Sequence, residues 1–179
     1  ELFHRNEPSG IYAESWEIST HPDGMTAIAN GPLAGKTLRD LLPEHKTALL
    51  GKNVRGDDFP LLIKLIDARD TLSVQVHPND ANAAAVQGEP KTEMWYFLEG
   101  DGSAQVYCGL KPGVGKSGFL EALENKTFSD ILRSVPVRKG QAVFVPGGCV
   151  HAIGAGCLIL EIQQNSNTTY RIYDWDRVD

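Results

Sequence analysis

Short strand-like runs broken by glycine-bearing turns recur through the second two-thirds of the chain, and that pattern leaves few architectures open. Pro60 to Asp67, Leu72 to His77, Thr92 to Leu98, 103–108, 141–146, 150–153, 157–164 and Thr168 to Tyr173 all read as strands. Gly100-Asp101-Gly102 joins the strand at 92–98 to an expected partner at 103–108, and Gly154-Ala155-Gly156 joins the runs at 150–153 and 157–164. Many short strands with such turns predict an antiparallel sandwich or barrel with helices outside it. The helices are few. Thr37 caps a short one carrying Leu38, Leu41 and Leu42, and Pro43 opens another that ends at Gly51. Asp80 to Val86 is alanine-rich and reads as a short helix capped by Asp80; two more pieces are expected at 118–125 and 128–134. Residues 11–30 read as a hairpin, with His21 on the turn His21-Pro22-Asp23-Gly24 at the surface. His45 is expected to be solvated.

Bulk properties exclude several classes of function. A length of 179 residues suits one domain with a real core. The net charge of −6 gives no global attraction for nucleic acid or an anionic membrane, so an anionic substrate needs a local cluster of cations. No run approaches the length of a membrane span and no signal peptide is visible, although the first residue is Glu1 rather than Met. The cysteines are Cys108, Cys149 and Cys157, an odd number without a C-x-x-C, which points to a reducing, cytoplasmic setting. Cys149 lies near His151 and is either a reactive thiol or a small apolar residue. Gly113-Val114-Gly115-Lys116-Ser117 imitates the end of a phosphate-binding loop. The motif needs a glycine separated from Gly115 by four residues; that position is Leu110, with Gly109 one step out of register, so the stretch reads as a strand-to-helix connection in which Ser117 caps the helix.

The chemistry concentrates elsewhere. In Ser73-Val74-Gln75-Val76-His77-Pro78 the strand period puts Gln75 and His77 on one face. Glu93 opens the next strand, and His151 follows the glycine-rich turn Pro146-Gly147-Gly148. One amide oxygen, two imidazoles and one carboxylate suit a borderline divalent metal, with zinc a natural occupant. Each residue also has a plain structural reading: His77 a strand end, His151 a hydrogen-bonded core residue, Glu93 a surface partner of Lys91. Lys64 interrupts an apolar strand and either snorkels at its edge or points into the site. In the strand at 157–164, Ile159, Glu161 and Gln163 share a face; if Leu158, Leu160 and Ile162 pack outside, Glu161 points inward.

Gly140, five residues, Pro146-x-Gly148, two residues and His151 resemble the second signature of the cupin superfamily, and Glu93 with Gly100 resembles the end of the first. Gln75-x-His77 in place of the usual His-x-His, the segment Gly88 to Tyr96, Glu161-Ile162-Gln163-Gln164 and Thr169 to Trp175 are similar to type I phosphomannose isomerases of the short bacterial branch. That resemblance implies a mainly β, cupin-type antiparallel barrel (jelly roll) over residues 1–179, with helical additions near 37–51 and 117–135. It implies one zinc ion per chain held by Gln75, His77, Glu93 and His151, and interconversion of mannose 6-phosphate and fructose 6-phosphate through an enediol. It assigns active-site roles to Lys91, Glu161 and Arg171, and associates Ser73 and Lys64, with Arg177 beside them, with the substrate phosphate. The family usually continues past the Tyr-Asp-Trp segment into a further β domain; this sequence ends at Asp179, and it reads as either a fragment or a minimal form. Two rivals remain: a non-haem iron oxygenase, because two histidines and a carboxylate also form a facial triad, and a non-catalytic sugar-phosphate-binding module.

Overall fold

The computed structural model describes residues 14–100 and 102–177, and the strands it contains form two antiparallel sheets of five. In chain order the elements are β1 (Glu14–Ile18), α1 (Leu38–Leu50), β2 (Leu61–Ala68), β3 (Val74–Val76), β4 (Glu93–Gly100), β5 (Gln105–Leu110), α2 (Lys116–Glu124), α3 (Phe128–Ile131), β6 (Leu132–Pro136), β7 (Ala142–Val145), β8 (His151–Ile153), β9 (Cys157–Gln164) and β10 (Tyr170–Tyr173). The first sheet runs β1-β2-β9-β4-β7 and the second β10-β3-β8-β5-β6.

The inner faces of the two sheets meet in a core of Ile66, Trp95, Phe97, Val106, Val145, Ile153 and Ile159. Along the strands of the first sheet that lining changes character. On β9 the inward residues run Cys157, Ile159, Glu161, Gln163, and on β4 Phe97 and Trp95 give way to Glu93. On β2, Ala68 and Ile66 give way to Lys64. One end of the space between the sheets is therefore packed apolar core and the other is polar. The outer face of the second sheet is closed by α2 and α3, where Phe128, Leu132 and Ala122 pack on Val74 and Ala152. That second cluster uses the valine face of β3, which leaves Gln75 and His77 directed to the interior.

Several local expectations need correction. The hairpin expected over 11–30 does not form. Its turn exists, with Gly24 N–H donating to the His21 carbonyl at 3.0 Å, but β1 pairs with β2 (Trp16 opposite Lys64) and the second arm makes one isolated bridge, Ala27 to Thr37. Ile11 to Ala13 lie outside the described residues. β4 and β5 are consecutive but belong to different sheets, so 103–108 is not the partner of 92–98; β4 lies between β9 and β7, and Asp101 of the connection lies outside the described residues. The helix expected over 128–134 stops at Ile131. Leu132 turns extended and pairs with Leu110, so the segment to Pro136 joins the second sheet as β6. Asp80 caps nothing: Asn79 accepts the N–H groups of Ala81 and Asn82, and only Ala84–Val86 becomes a short 3₁₀ turn. Ser117 is inside α2, whose N-cap is Gly115. Thr37 does cap α1, in a reciprocal box with Asp40, and the two helices expected around Pro43 are one helix with a kink at His45, which is exposed. None of the three cysteines forms a disulfide; Cys108 and Cys149 are thiols with sulfurs 3.8 Å apart. Among the described residues no helix is long and apolar enough to cross a membrane.

Candidate metal centre and active site

Three rungs of paired residues build the polar end. In the first sheet Lys64 on β2 lies opposite Glu161 on β9, and Glu161 opposite Trp95 on β4. The next rung places Glu93 opposite Gln163. In the facing sheet Arg171 on β10, Gln75 on β3, His151 on β8 and Cys108 on β5 form the third. Residues opposite each other in a ladder point to the same face. Residues far apart in sequence are in this way aimed into one cleft of about 340 Å³, lined by Lys64, Gln75, His77, Lys91, Glu93, Trp95, His151, Glu161 and Arg171, with Glu14, Asn167 and Thr169 at its edge. His77 lies one residue beyond β3, and the turn that carries His151 is packed on it. Gly148 N–H donates to the His77 carbonyl at 2.7 Å, and a Cβ on Gly147 would stand 2.6 Å from the Pro78 oxygen, so only glycine allows the two segments to approach this closely.

At the centre, Glu93 Oε1 is 3.4 Å from His151 Nε2 and Oε2 is 3.5 Å from His77 Nε2. The candidate ligand atoms of His77, Glu93 and His151 all lie within 4.8 Å of one another, a group that could hold a metal ion. Burial drives the His77 imidazole down to about 2 and His151 down to about 4, with the Lys91 charge adding to both, so each ring is held neutral. The tautomer of His151 is set by its Nδ1, which lies 2.9 Å from the Cys149 carbonyl and donates to it, leaving Nε2 for the centre. Glu93 is 2 % exposed and its Oε2 makes no hydrogen bond. Burial raises its carboxyl and the Lys91 ammonium opposes the rise. Three buried acceptors face one another here, one of them without a hydrogen bond, and such a group could hold a divalent cation. Gln75 adds an amide to the lining of the cleft, and its Nε2 donates to Ser73 Oγ at 3.4 Å. Lys91 Nζ is 3.4 Å from Glu93 Oε2 and 3.2 Å from His77 Nε2, so it competes with a metal for the nitrogen's lone pair.

Glu161 is the second buried carboxylate. Its Oε2 accepts from Trp95 Nε1 at 3.1 Å and its Oε1 is 3.9 Å from Lys64 Nζ. Burial first, then the neighbouring Glu93 charge, push its carboxyl up to about 7. A carboxyl poised near neutrality beside a metal-type cluster has the properties of a general acid/base.

Residues 1–101 match the profile described as "Phosphomannose isomerase type I, catalytic domain". The chain is 43% identical over 173 residues to the mannose-6-phosphate isomerase of Streptococcus mutans, covering 96% of this chain and 54% of that protein. It is 44% identical over 174 residues to mannose-6-phosphate isomerase ManA of Bacillus subtilis, with the same coverage. The crystal structure of mannose 6-phosphate isomerase from Bacillus subtilis superposes with a TM-score of 0.84 at 40% identity, over 93% of this chain and 53% of that one. The chain belongs to the type I phosphomannose isomerase family. It spans about half the length of the curated relatives it matches.

Within this phosphomannose isomerase fold the residues singled out from sequence divide into two groups. Gln75, His77, Glu93, His151, Lys91, Lys64, Glu161 and Arg171 line the one cleft. Ser73 lies just behind it, accepting from Arg171 Nε at 3.1 Å. Arg177 stands apart: it donates to the Thr71 carbonyl at 2.8 Å and pairs with Asp174. Lys64 does not snorkel; its side chain is 5% exposed and pairs with Glu14 at 3.2 Å. His21 is likewise buried rather than superficial, with its Nε2 3.1 Å from Glu89 Oε2 and its Nδ1 accepting from Asp23 N–H. Glu89 also accepts from Asn167 N–H, so this pair braces the loop at the cleft's edge. Two site residues escaped sequence reasoning. Trp95 reads as an ordinary aromatic of a core strand, although its spacing of two from Glu93 puts it on the same face. Glu14 is one carboxylate among many until β1 pairs with β2.

Proposed function

We propose that this chain carries the active site of a mannose 6-phosphate isomerase, a metal-dependent aldose–ketose isomerase interconverting mannose 6-phosphate and fructose 6-phosphate. The observation that carries the reading is the pairing, within one cleft, of a His77/Glu93/His151 cluster at metal-ligand spacing with the separate buried carboxyl of Glu161. The curated relatives of matching sequence bear the same activity in their names.

His77, Glu93, His151 and the Gln75 amide would hold the metal, and zinc suits this mixed nitrogen and oxygen set. Bound there, the ion would supply Lewis acidity to oxygen atoms of the sugar and offset negative charge developing on them. The remaining work falls to the chain's own groups. Isomerisation in this direction removes a proton from C2 and returns one to C1. Glu161 is the group to carry it, since Glu93 is committed to the metal and Trp95 holds Glu161 Oε2 in a single orientation. Lys91 and Arg171 place positive charge along the cleft, where oxygen atoms of the substrate develop negative charge. Ser73 fixes Arg171 through its Nε. Lys64, with Ser73 and the more distant Arg177, is assigned to the phosphate, which an acidic protein must attract locally. The oxygenase rival gives no role to Lys64, Lys91 and Glu161 inside the same cleft.

A coupled assay of mannose 6-phosphate conversion by the purified chain, with and without added zinc, tests the proposal. Turnover that depends on added metal is the expected result. Binding of the sugar phosphate without turnover at any metal loading would select the non-catalytic module, and oxygen uptake with iron would select the oxygenase.

A further inference from the structure

Lys64 already has its counter-charges. Its ammonium is 3.2 Å from Glu14 Oε1 and 3.3 Å from Glu14 Oε2, and 3.9 Å from Glu161 Oε1. The two carboxylates are not equivalent. The Glu161 side chain is 5% exposed, whereas that of Glu14 is 38% exposed at the mouth of the cleft. Glu14 sits on β1, the edge strand, two residues before Trp16 and therefore on the same face. Trp16 Nε1 donates to Glu14 Oε1 at 2.6 Å, and Lys64 Nζ lies 5.0 Å from the centroid of the same indole. The carboxylate is thus held in place by one neighbour and presented to the lysine's solvent-facing side.

That arrangement bears on how a phosphate reaches Lys64. A carboxylate oxygen and a phosphate oxygen offer an ammonium the same acceptor. A phosphate monoester dianion brought to Lys64 would meet Glu14 at the same donor, and two anions cannot share it without strong repulsion. We propose that Glu14 is an internal anion that occupies the substrate phosphate's position on Lys64 in the free site and yields it on binding, so that Glu14 sets the site's affinity and selectivity for sugar phosphates. The proposal rests on the assignment of Lys64 to the phosphate made above. It gives the site a threshold: a neutral sugar has nothing with which to displace Glu14, and a dianion does. It also keeps Lys64 paired in the free site, where its charge would otherwise be buried against Trp16 and Glu161 alone.

The test is titration of the full, zinc-loaded chain with inorganic phosphate and with mannose 6-phosphate, by calorimetry, comparing wild type with Glu14→Gln. Glutamine keeps the shape and an acceptor for the Trp16 indole but removes the charge. Removing a partly exposed, competing ion-pair partner is expected to tighten phosphate binding roughly two- to fivefold, with a parallel fall in KM and a smaller change in kcat. Glu14→Asp, which keeps the charge on a shorter arm, should fall between the two. In a Lys64→Ala background the effect of Glu14→Gln should disappear. Unchanged or weaker phosphate binding in Glu14→Gln, with the variant shown folded by its melting curve, overturns the proposal, as does a gain of the same size that persists in Lys64→Ala. The calorimetric readouts do not depend on turnover. A chain that binds phosphate as described yet fails to isomerise would refute the isomerase reading and leave the role of Glu14 intact; a chain that isomerises but shows no Glu14 effect would do the reverse.

Discussion

Replacing Glu161 by glutamine separates the cost of this residue from its use. Glu161 is 3% exposed, and its carboxyl moves from 4.5 to about 7 because burial and the Glu93 charge outweigh Lys91, Lys64 and the Trp95 hydrogen bond. The folded chain therefore holds this proton more tightly than the unfolded chain. The carboxyl's contribution to stability is full below pH 4.5 and is lost as pH rises through about 7. At about 1.4 kcal/mol per pH unit, ionised Glu161 costs the fold roughly 3 kcal/mol above pH 8. Glutamine resembles the protonated acid, keeps an acceptor for Trp95 Nε1 and does not titrate. In metal-free protein, where no added cation stabilises the carboxylate, Glu161→Gln should melt within a degree or two of wild type near pH 5. Near pH 8.5 it should melt higher by roughly 6–12 °C, taking about 2–4 °C per kcal/mol for a chain of this size. The zinc-loaded variant should lose about two to four orders of magnitude in turnover, the usual contribution of an acid/base group. Thermal denaturation at the two pH values and the coupled isomerase assay measure both effects. A stability difference that does not change with pH, or a variant less stable than wild type at pH 8.5, would show that the cleft does not penalise the charge, and normal turnover would remove Glu161 from the chemistry.

Metal binding should stabilise the fold, since the ligands join β3, β4 and β8; zinc at about a thousand times its Kd adds roughly 4 kcal/mol, a rise of about 8–16 °C in melting temperature. Chelation should reverse that rise and abolish turnover, and His151→Ala should abolish the rise itself; an unaltered zinc response in His151→Ala would contradict the assigned ligand set. Lys91→Ala and Arg171→Ala should fold and yet lose turnover, and a variant whose folded fraction keeps the wild-type rate would show that its cation serves the fold alone. In heavy water, a proton carrier that exchanges with solvent should leave deuterium at C1 of fructose 6-phosphate, read by NMR; full retention of substrate hydrogen at the normal rate in Glu161→Gln would exclude Glu161 as the carrier.

Strand periodicity was enough to place Gln75 with His77 and to turn Glu161 inward, because alternation is a local property of an extended backbone. The glycines at 147 and 148 marked the turn behind His151, because only glycine fits the close approach and, at 148, the positive φ found there. Pairing was not legible in the same way. Nothing local tells β4 to lie between β9 and β7 instead of beside β5, since that choice depends on which apolar faces bury each other across the whole chain. The same holds for β1, whose pairing with β2 brings Glu14 and Trp16 to Lys64, and for His21, which a surface-type turn hides behind Glu89. Residue identity and spacing, together with the family resemblance they carry, were therefore enough to nominate the residues proposed as ligands and base. Only the tertiary arrangement of the two sheets decided which carboxylate faces which cation, because ion pairs and pKa shifts arise from groups distant in sequence brought together out of water.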